Sequence, residues 1–168
     1  MIGYVVLIAI AITVSAITYS WLETYIPQDK LECPDGVSVY IKHLTCQRNS
    51  DELILNITLE NNGKFNFQGY YIMATNSSNQ TVASIDLSEN ITSGGNPYNG
   101  FVLFTLADPL TPSEVSDPSI FKVDLSEFGM LHKVEIIPLR VQEKDSVFKS
   151  LGCSKAKVTE TIYEKCST

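Results

Sequence analysis

Four cysteines, Cys33, Cys46, Cys153 and Cys166, are the residues of this chain whose type and spacing most directly imply chemistry. They fall as two pairs with the same separation of 13 residues. Four cysteines allow three connectivities. Sequence-adjacent pairing, Cys33 with Cys46 and Cys153 with Cys166, suits two short excursions that each return to a neighbouring strand. In the chain-entropy model each such loop adds roughly 3 kcal/mol. Four buried free thiols are the alternative. A zinc site has less support, because no CxxC occurs and neither His43 nor His132 has a ligand-like partner nearby in sequence.

The remaining reactive residue types form no catalytic pattern, and no enzyme activity is expected. A nucleophile needs a base, and the only histidines, His43 and His132, each sit in or beside an expected strand. There is no G-x-S-x-G, P-loop, H-E-x-x-H or D-x-D-x-D-G sequence. The run "SGGNPYNG" lacks the strand-to-helix context of a phosphate loop and reads as a turn. Asp108, Glu114 and Asp117 crowd one loop, where they could hold calcium through oxygen ligands or form an ordinary solvated acidic loop. No cofactor is expected. Four N-x-[ST] sequons, at Asn56, Asn76, Asn79 and Asn90, are candidate glycan acceptors. Asn76, Asn79 and Asn90 fall in expected loops, whereas Asn56 falls mid-strand.

The elements that carry these residues divide the chain in two. Ile2 to Leu22, "IGYVVLIAIAITVSAITYSWL", contains no charged residue, and all 12 Lys and Arg lie at or beyond Lys30. The net charge of −7 therefore belongs to the portion after the helix, where scattered cations and an acidic balance exclude a nucleic-acid surface. As a helix, the apolar run spans about 31 Å, the thickness of a hydrocarbon core. Tyr19, Trp21 and Tyr25 cluster at its far end, as interfacial rings do, and Pro27 closes it. A cleaved signal peptide would need a shorter run and a small-residue site, but "YSWLETYIP" is bulky. No basic segment precedes the run, so removal of a charged leader is expected. The acidic flank after the helix and the cysteines place the following domain outside the cell. The domains are thus 1–27, a membrane or filament-core helix, and 28–168, an exterior domain.

Within the helix, Gly3, Ala9, Ala11, Ser15 and Ala16 are small, which lets neighbouring helices approach closely in lipid. A simple membrane anchor can carry the same composition.

From Pro27 onward helical periodicity is lacking, and short β-branched and aromatic runs alternate with turn residues. "VSVYIKHLTC", "ELILNITLENNG", "FNFQGYYIMAT", "TVASIDL", "YNGFVLFTL", "SIFKVDL", "HKVEIIPLRVQ" and "AKVTETIYEKC" make about eight expected strands. In the second of these, Leu53, Leu55, Ile57 and Leu59 share one face, opposite Glu52, Ile54, Asn56 and Thr58. Such a pattern predicts a mainly β chain: a long N-terminal hydrophobic α-helix followed by an immunoglobulin-like antiparallel β-sandwich.

An uncharged helix at the N-terminus, the aromatic exit "WLETYIP" and a β-rich domain together resemble archaeal type IV pilins and archaellins. "LENNGKFNFQGYYI" and "KVEIIPLR…CSKAKVTETIYEKC" are similar to the exterior domains of small archaeal members. Bacterial type IV pilins carry a glutamate at the fifth mature position, where this chain has Val5, so the resemblance is to the archaeal branch. It implies a structural subunit of a surface filament, a homo-oligomer held by its N-terminal helices and inserted in the membrane before assembly. The alternative is a single-pass, membrane-anchored cell-surface protein whose sandwich binds a partner or a sugar.

Overall fold

The computed structural model describes residues 2–25, 32–104, 108–144 and 147–167. The chain separates into two compact units, Met1–Leu31 and Glu32–Thr168. The expected boundary at 27/28, with Pro27, lies outside the described residues.

The first unit is one helix, α1 (Ile2–Tyr25, 24 residues), about 36 Å long at 1.5 Å per residue. Its many Ile and Val residues are only moderate helix formers in water. In an apolar medium the choice is forced, because a helix satisfies every backbone N–H and C=O within its own segment.

The second unit carries twelve strands among the described residues: β1 (Tyr40–Asn49), β2 (Glu52–Glu60), β3 (Gly69–Thr75), β4 (Ile85–Asp86), β5 (Ile91–Ser93), β6 (Asn96–Tyr98), β7 (Phe101–Leu103), β8 (Ser119–Asp124), β9 (Lys133–Lys144), β10 (Val147–Gly152), β11 (Val158–Thr161) and β12 (Cys166–Ser167). One sheet runs β12-β1-β2-β8-β5. The other runs β10-β9-β3-β7-β6, with β11 also on β9 and β4 on β3. The pairings are antiparallel except for β1 with β12, which is parallel.

Period-two alternation builds the core. Leu53, Leu55, Ile57 and Leu59 of β2 and Phe121 and Val123 of β8 are fully buried, as are Tyr70, Ile72 and Ala74 of β3 and Val134 and Ile136 of β9; all belong to one hydrophobic cluster. Two sheets therefore close face to face on a shared core, the sandwich that the alternation predicts. Each fully buried Leu or Ile contributes about 1.5–3 kcal/mol.

Several local expectations need correction. "TVASIDL" supplies only the two-residue β4, and the "SGGNPYNG" turn in fact contains β6. β6 and β7 form a hairpin around Asn99–Gly100, whose φ values of 45° and 82° are both positive, as a type I′ turn requires. β10, unanticipated in sequence, pairs with the far half of β9. Helical structure is also not confined to the N-terminus: α2 (Leu125–Phe128) is a single turn. Capping explains it without periodicity, because Asp124 Oδ1 accepts from the Ser126 backbone N–H at 2.8 Å and Gly129 ends the turn at a φ of 72°.

The disulfide pairing is the main correction. All four cysteines are oxidised, but the bonds are Cys33–Cys153 and Cys46–Cys166, not Cys33–Cys46 and Cys153–Cys166. The matched spacing has a different origin from two local loops. Segments 33–46 and 153–166 meet at both ends in the same order, Cys33 bonded to Cys153 and Cys46 to Cys166, with Cys46 and Cys166 as Cα partners where β1 and β12 pair in parallel. Both bonds accordingly span 120 residues. In the chain-entropy model one such bond contributes roughly 5 kcal/mol, and the second, which then closes only the smaller ring of the two segments, roughly 3.5 kcal/mol. Disulfides of this kind fit an oxidising, extracellular setting.

Candidate functional site: an apolar helix and an aromatic sheet face

Every described side chain of α1 from Gly3 to Leu22 is exposed within the chain, from Tyr4 at 78% and Ile17 at 69% to Val6 at 51%. The segment Gly3–Leu22 has a mean hydropathy of 2.1, long and apolar enough to cross a membrane. Three of its hydroxyls are turned back onto the helix. Ser15 Oγ donates to the Ala11 carbonyl at 2.8 Å, Thr13 Oγ1 to Ala9 and Ile10, and Thr18 Oγ1 to Val14 and Ser15. Back-bonding of this kind hides the polar atoms against the helix's own backbone.

The five small residues do not form one stripe. At about 100° per residue, Ala9 and Ala16 fall on one face and Ala11 and Ser15 on another about 130° away, with Gly3 on the wider arc between them. Thr13 joins the first face and Thr18 the second.

The other sequence candidates are dispersed. His43 is exposed at a bulge in β1, while His132 stacks on Tyr163 with ring centroids 4.5 Å apart. Asp108, Glu114 and Asp117 do line one cleft of about 520 Å³, together with Gly94, Gly95 and Ser116. Glu114, however, is committed to its own turn. Its Oε2 accepts from the Thr111 backbone N–H and hydroxyl, both at 2.8 Å, and these bonds hold its carboxyl below the usual range. Among the described residues no group of three His, Cys, Asp or Glu side chains could hold a metal ion.

The sequons separate by environment. Asn56 lies in β2 between Thr45 and Ile120, and its Thr58 is buried. Asn90 donates its amide to the Lys122 carbonyl, and Thr92 donates to Ile120. Asn76 donates to the Phe128 carbonyl. Asn79 and Thr81 are both exposed, beside the turn closed by the Gln80 N–H on the Ser77 carbonyl.

The feature that sequence reasoning missed is the outer face of the β10-β9-β3-β7-β6 sheet. The five-stranded sheet presents polar groups outward, with Lys122–Glu52 and Lys42–Glu60 ion pairs at 3.7 and 3.2 Å. The seven-stranded sheet instead presents Tyr71, Tyr98, Phe101, Leu103, Val141 and Phe148. Tyr71 and Tyr98 each lie 5.5 Å from the Phe101 ring. Asn-Gly between Tyr98 and Phe101 was the available hairpin signal; nothing in sequence ties Phe148 to them. Beyond the aromatic area, Glu135 lies almost buried between Lys133 and Lys157 at 3.2 and 2.9 Å. Burial alone would raise the Glu135 carboxyl, but hydrogen bonds from the two ammonium groups outweigh it and hold it below the usual range.

Compared with known protein families, with characterised proteins and with solved structures, the chain matches none.

Proposed function

We propose that this chain is a structural subunit of an archaeal surface filament, of the type IV pilus or archaellum kind, that polymerises through α1 after residing in the membrane. The observation that carries the reading is the character of α1: exposed and apolar on all sides, its Thr13, Ser15 and Thr18 hydroxyls bonded to its own carbonyls, with two separate small-residue faces. A helix that only anchors a protein has lipid on every side and gains nothing from small residues. Two distinct close-packing faces, about 130° apart, let one helix touch two neighbours at once, which is what an open assembly of identical subunits needs. The sandwich would then face outward from the filament. On that exterior, Asn79 is the sequon best placed to accept a glycan.

The test combines negative-stain microscopy of sheared cell-surface material, with the subunit identified by mass, and the variant Ala16→Leu. Leucine keeps the helix apolar and membrane-competent but blocks close approach. A filament subunit should lose most of its filaments while still inserting. Unchanged filaments in Ala16→Leu, or a surface free of filaments containing this chain, would favour a single-pass anchor.

A further inference from the structure

We infer that the outer face of the β10-β9-β3-β7-β6 sheet is a binding site for a neutral saccharide. The site is a groove of about 540 Å³, lined by Gln68, Tyr98, Phe101, Leu103, Val141, Phe148 and Ser150. Its size falls within the range of small-ligand clefts, and its make-up, apolar rings with a few polar groups, is theirs as well. Phe148 on edge strand β10 is 72% exposed and Tyr98 on edge strand β6 is 56% exposed, so the two aromatic walls stand at opposite margins of the sheet. Phe101 is largely buried and lies with Leu103 on β7, next to β6. Leaving two large rings in water is unfavourable unless something covers them.

The chemistry of the lining selects the occupant. In a chain of net charge −7, no charged side chain lines this groove among the described residues. A charged ligand would find no counter-ion there and would lose hydration without return. A purely apolar ligand would strand the polar groups. Gln68 Oε1 already accepts from the Val141 N–H at 2.8 Å, which fixes the amide and leaves its NH₂ available to donate. Ser150 and Tyr98 add hydroxyls that can donate or accept. A sugar ring has both complements: a C–H face, slightly positive, that rests on the negative face of an aromatic ring, and equatorial hydroxyls around its rim. Uncharged hexose or N-acetylhexosamine chains fit; uronic, sialic or phosphorylated ones do not. The inference does not depend on filament assembly, since an anchored surface protein could carry the same groove.

The test uses the full chain reconstituted in lipid nanodiscs, titrated by calorimetry with neutral hexaoses of glucose, mannose and N-acetylglucosamine. At least one should bind, equally well at low and high salt. Phe148→Ala and Tyr98→Ala should each weaken it about tenfold, and Ser150→Ala severalfold. Val82→Ala and Tyr163→Ala, which truncate exposed apolar side chains outside the groove, should leave it unchanged. Phe148 is exposed enough that its loss spares the core, and near-ultraviolet circular dichroism verifies this. Three results would each overturn the inference: no hexaose bound at millimolar concentration, binding indifferent to Phe148→Ala, or Phe148 shielded from solvent labelling in sugar-free assemblies. The last would mean that a second copy covers the groove.

Discussion

The helix and the sandwich handle apolar surface in opposite ways. α1 has no inside: its Val, Ile and Leu side chains from Val5 to Leu22 are all exposed, and what it conceals are the Thr13, Ser15 and Thr18 hydroxyls, folded back on backbone carbonyls. The sandwich conceals its apolar atoms between two sheets and joins the start of its fold to the end through two 120-residue disulfide spans. The difference teaches that the two units are stable for different reasons. One needs apolar surroundings supplied by lipid or by other helices; the other carries its own core and should be indifferent to the first. Assembly can then reside in one unit and surface chemistry in the other.

The harshest way to break this division is to charge the helix. Ala11→Arg places a cation near the middle of the apolar segment, at a cost of at least about 2.5–3.5 kcal/mol by insertion scales and more where no partner exists. It should abolish filaments altogether, as scored by microscopy, while secreted or solubilised material retains the strand signal of the sandwich.

The disulfides give the next largest effect. Removing either bond, as Cys33→Ser with Cys153→Ser or Cys46→Ser with Cys166→Ser, should lower sandwich stability by roughly 3.5 kcal/mol, because the surviving bond still closes a 120-residue span. Removing both should cost clearly more than twice that, roughly 8.5 kcal/mol. Denaturant titration of these three variants beside the parent chain decides the point, and peptide mapping without reduction should show Cys33 joined to Cys153. Neither change should alter helix insertion.

A smaller effect is expected from pH. Glu135 has its folded pKa depressed, so the stability it contributes is present above the unfolded value near 4.5 and is lost as pH falls through the lower, folded value. Glu135→Gln should therefore flatten the acid limb of the sandwich's stability profile. Glu114 and Asp124, also depressed by hydrogen bonds in their turns, keep that limb from vanishing. At neutral pH the same variant should lose about 1.5–3 kcal/mol, the scale of a hydrogen bond to a charged group.

What was legible in sequence follows the same divide. An uncharged run of 21 residues can hardly be anything but a helix in an apolar setting, and strict alternation in β2 put Leu53, Leu55, Ile57 and Leu59 on the buried face. Information that lies between distant segments was not legible. The thirteen-residue cysteine spacing is equally compatible with two local loops and with two parallel segments, and only the pairing of β12 with β1 separates them. Likewise, β10 is too short and irregular to stand out as a strand until β9 is seen to extend far enough to pair with it. That pairing brings Phe148 into the same groove as Tyr98, a juxtaposition no local pattern encodes.

The central claim, that assembly belongs to the helix and the sandwich is self-sufficient, is tested most directly by sedimentation of residues 28–168 alone. The account predicts a single monomeric species whose circular dichroism shows strand with little helix and whose melt is cooperative. Stable oligomers of this fragment would place subunit contacts in the sandwich, and an unfolded fragment would make α1 part of its core; either result contradicts the division.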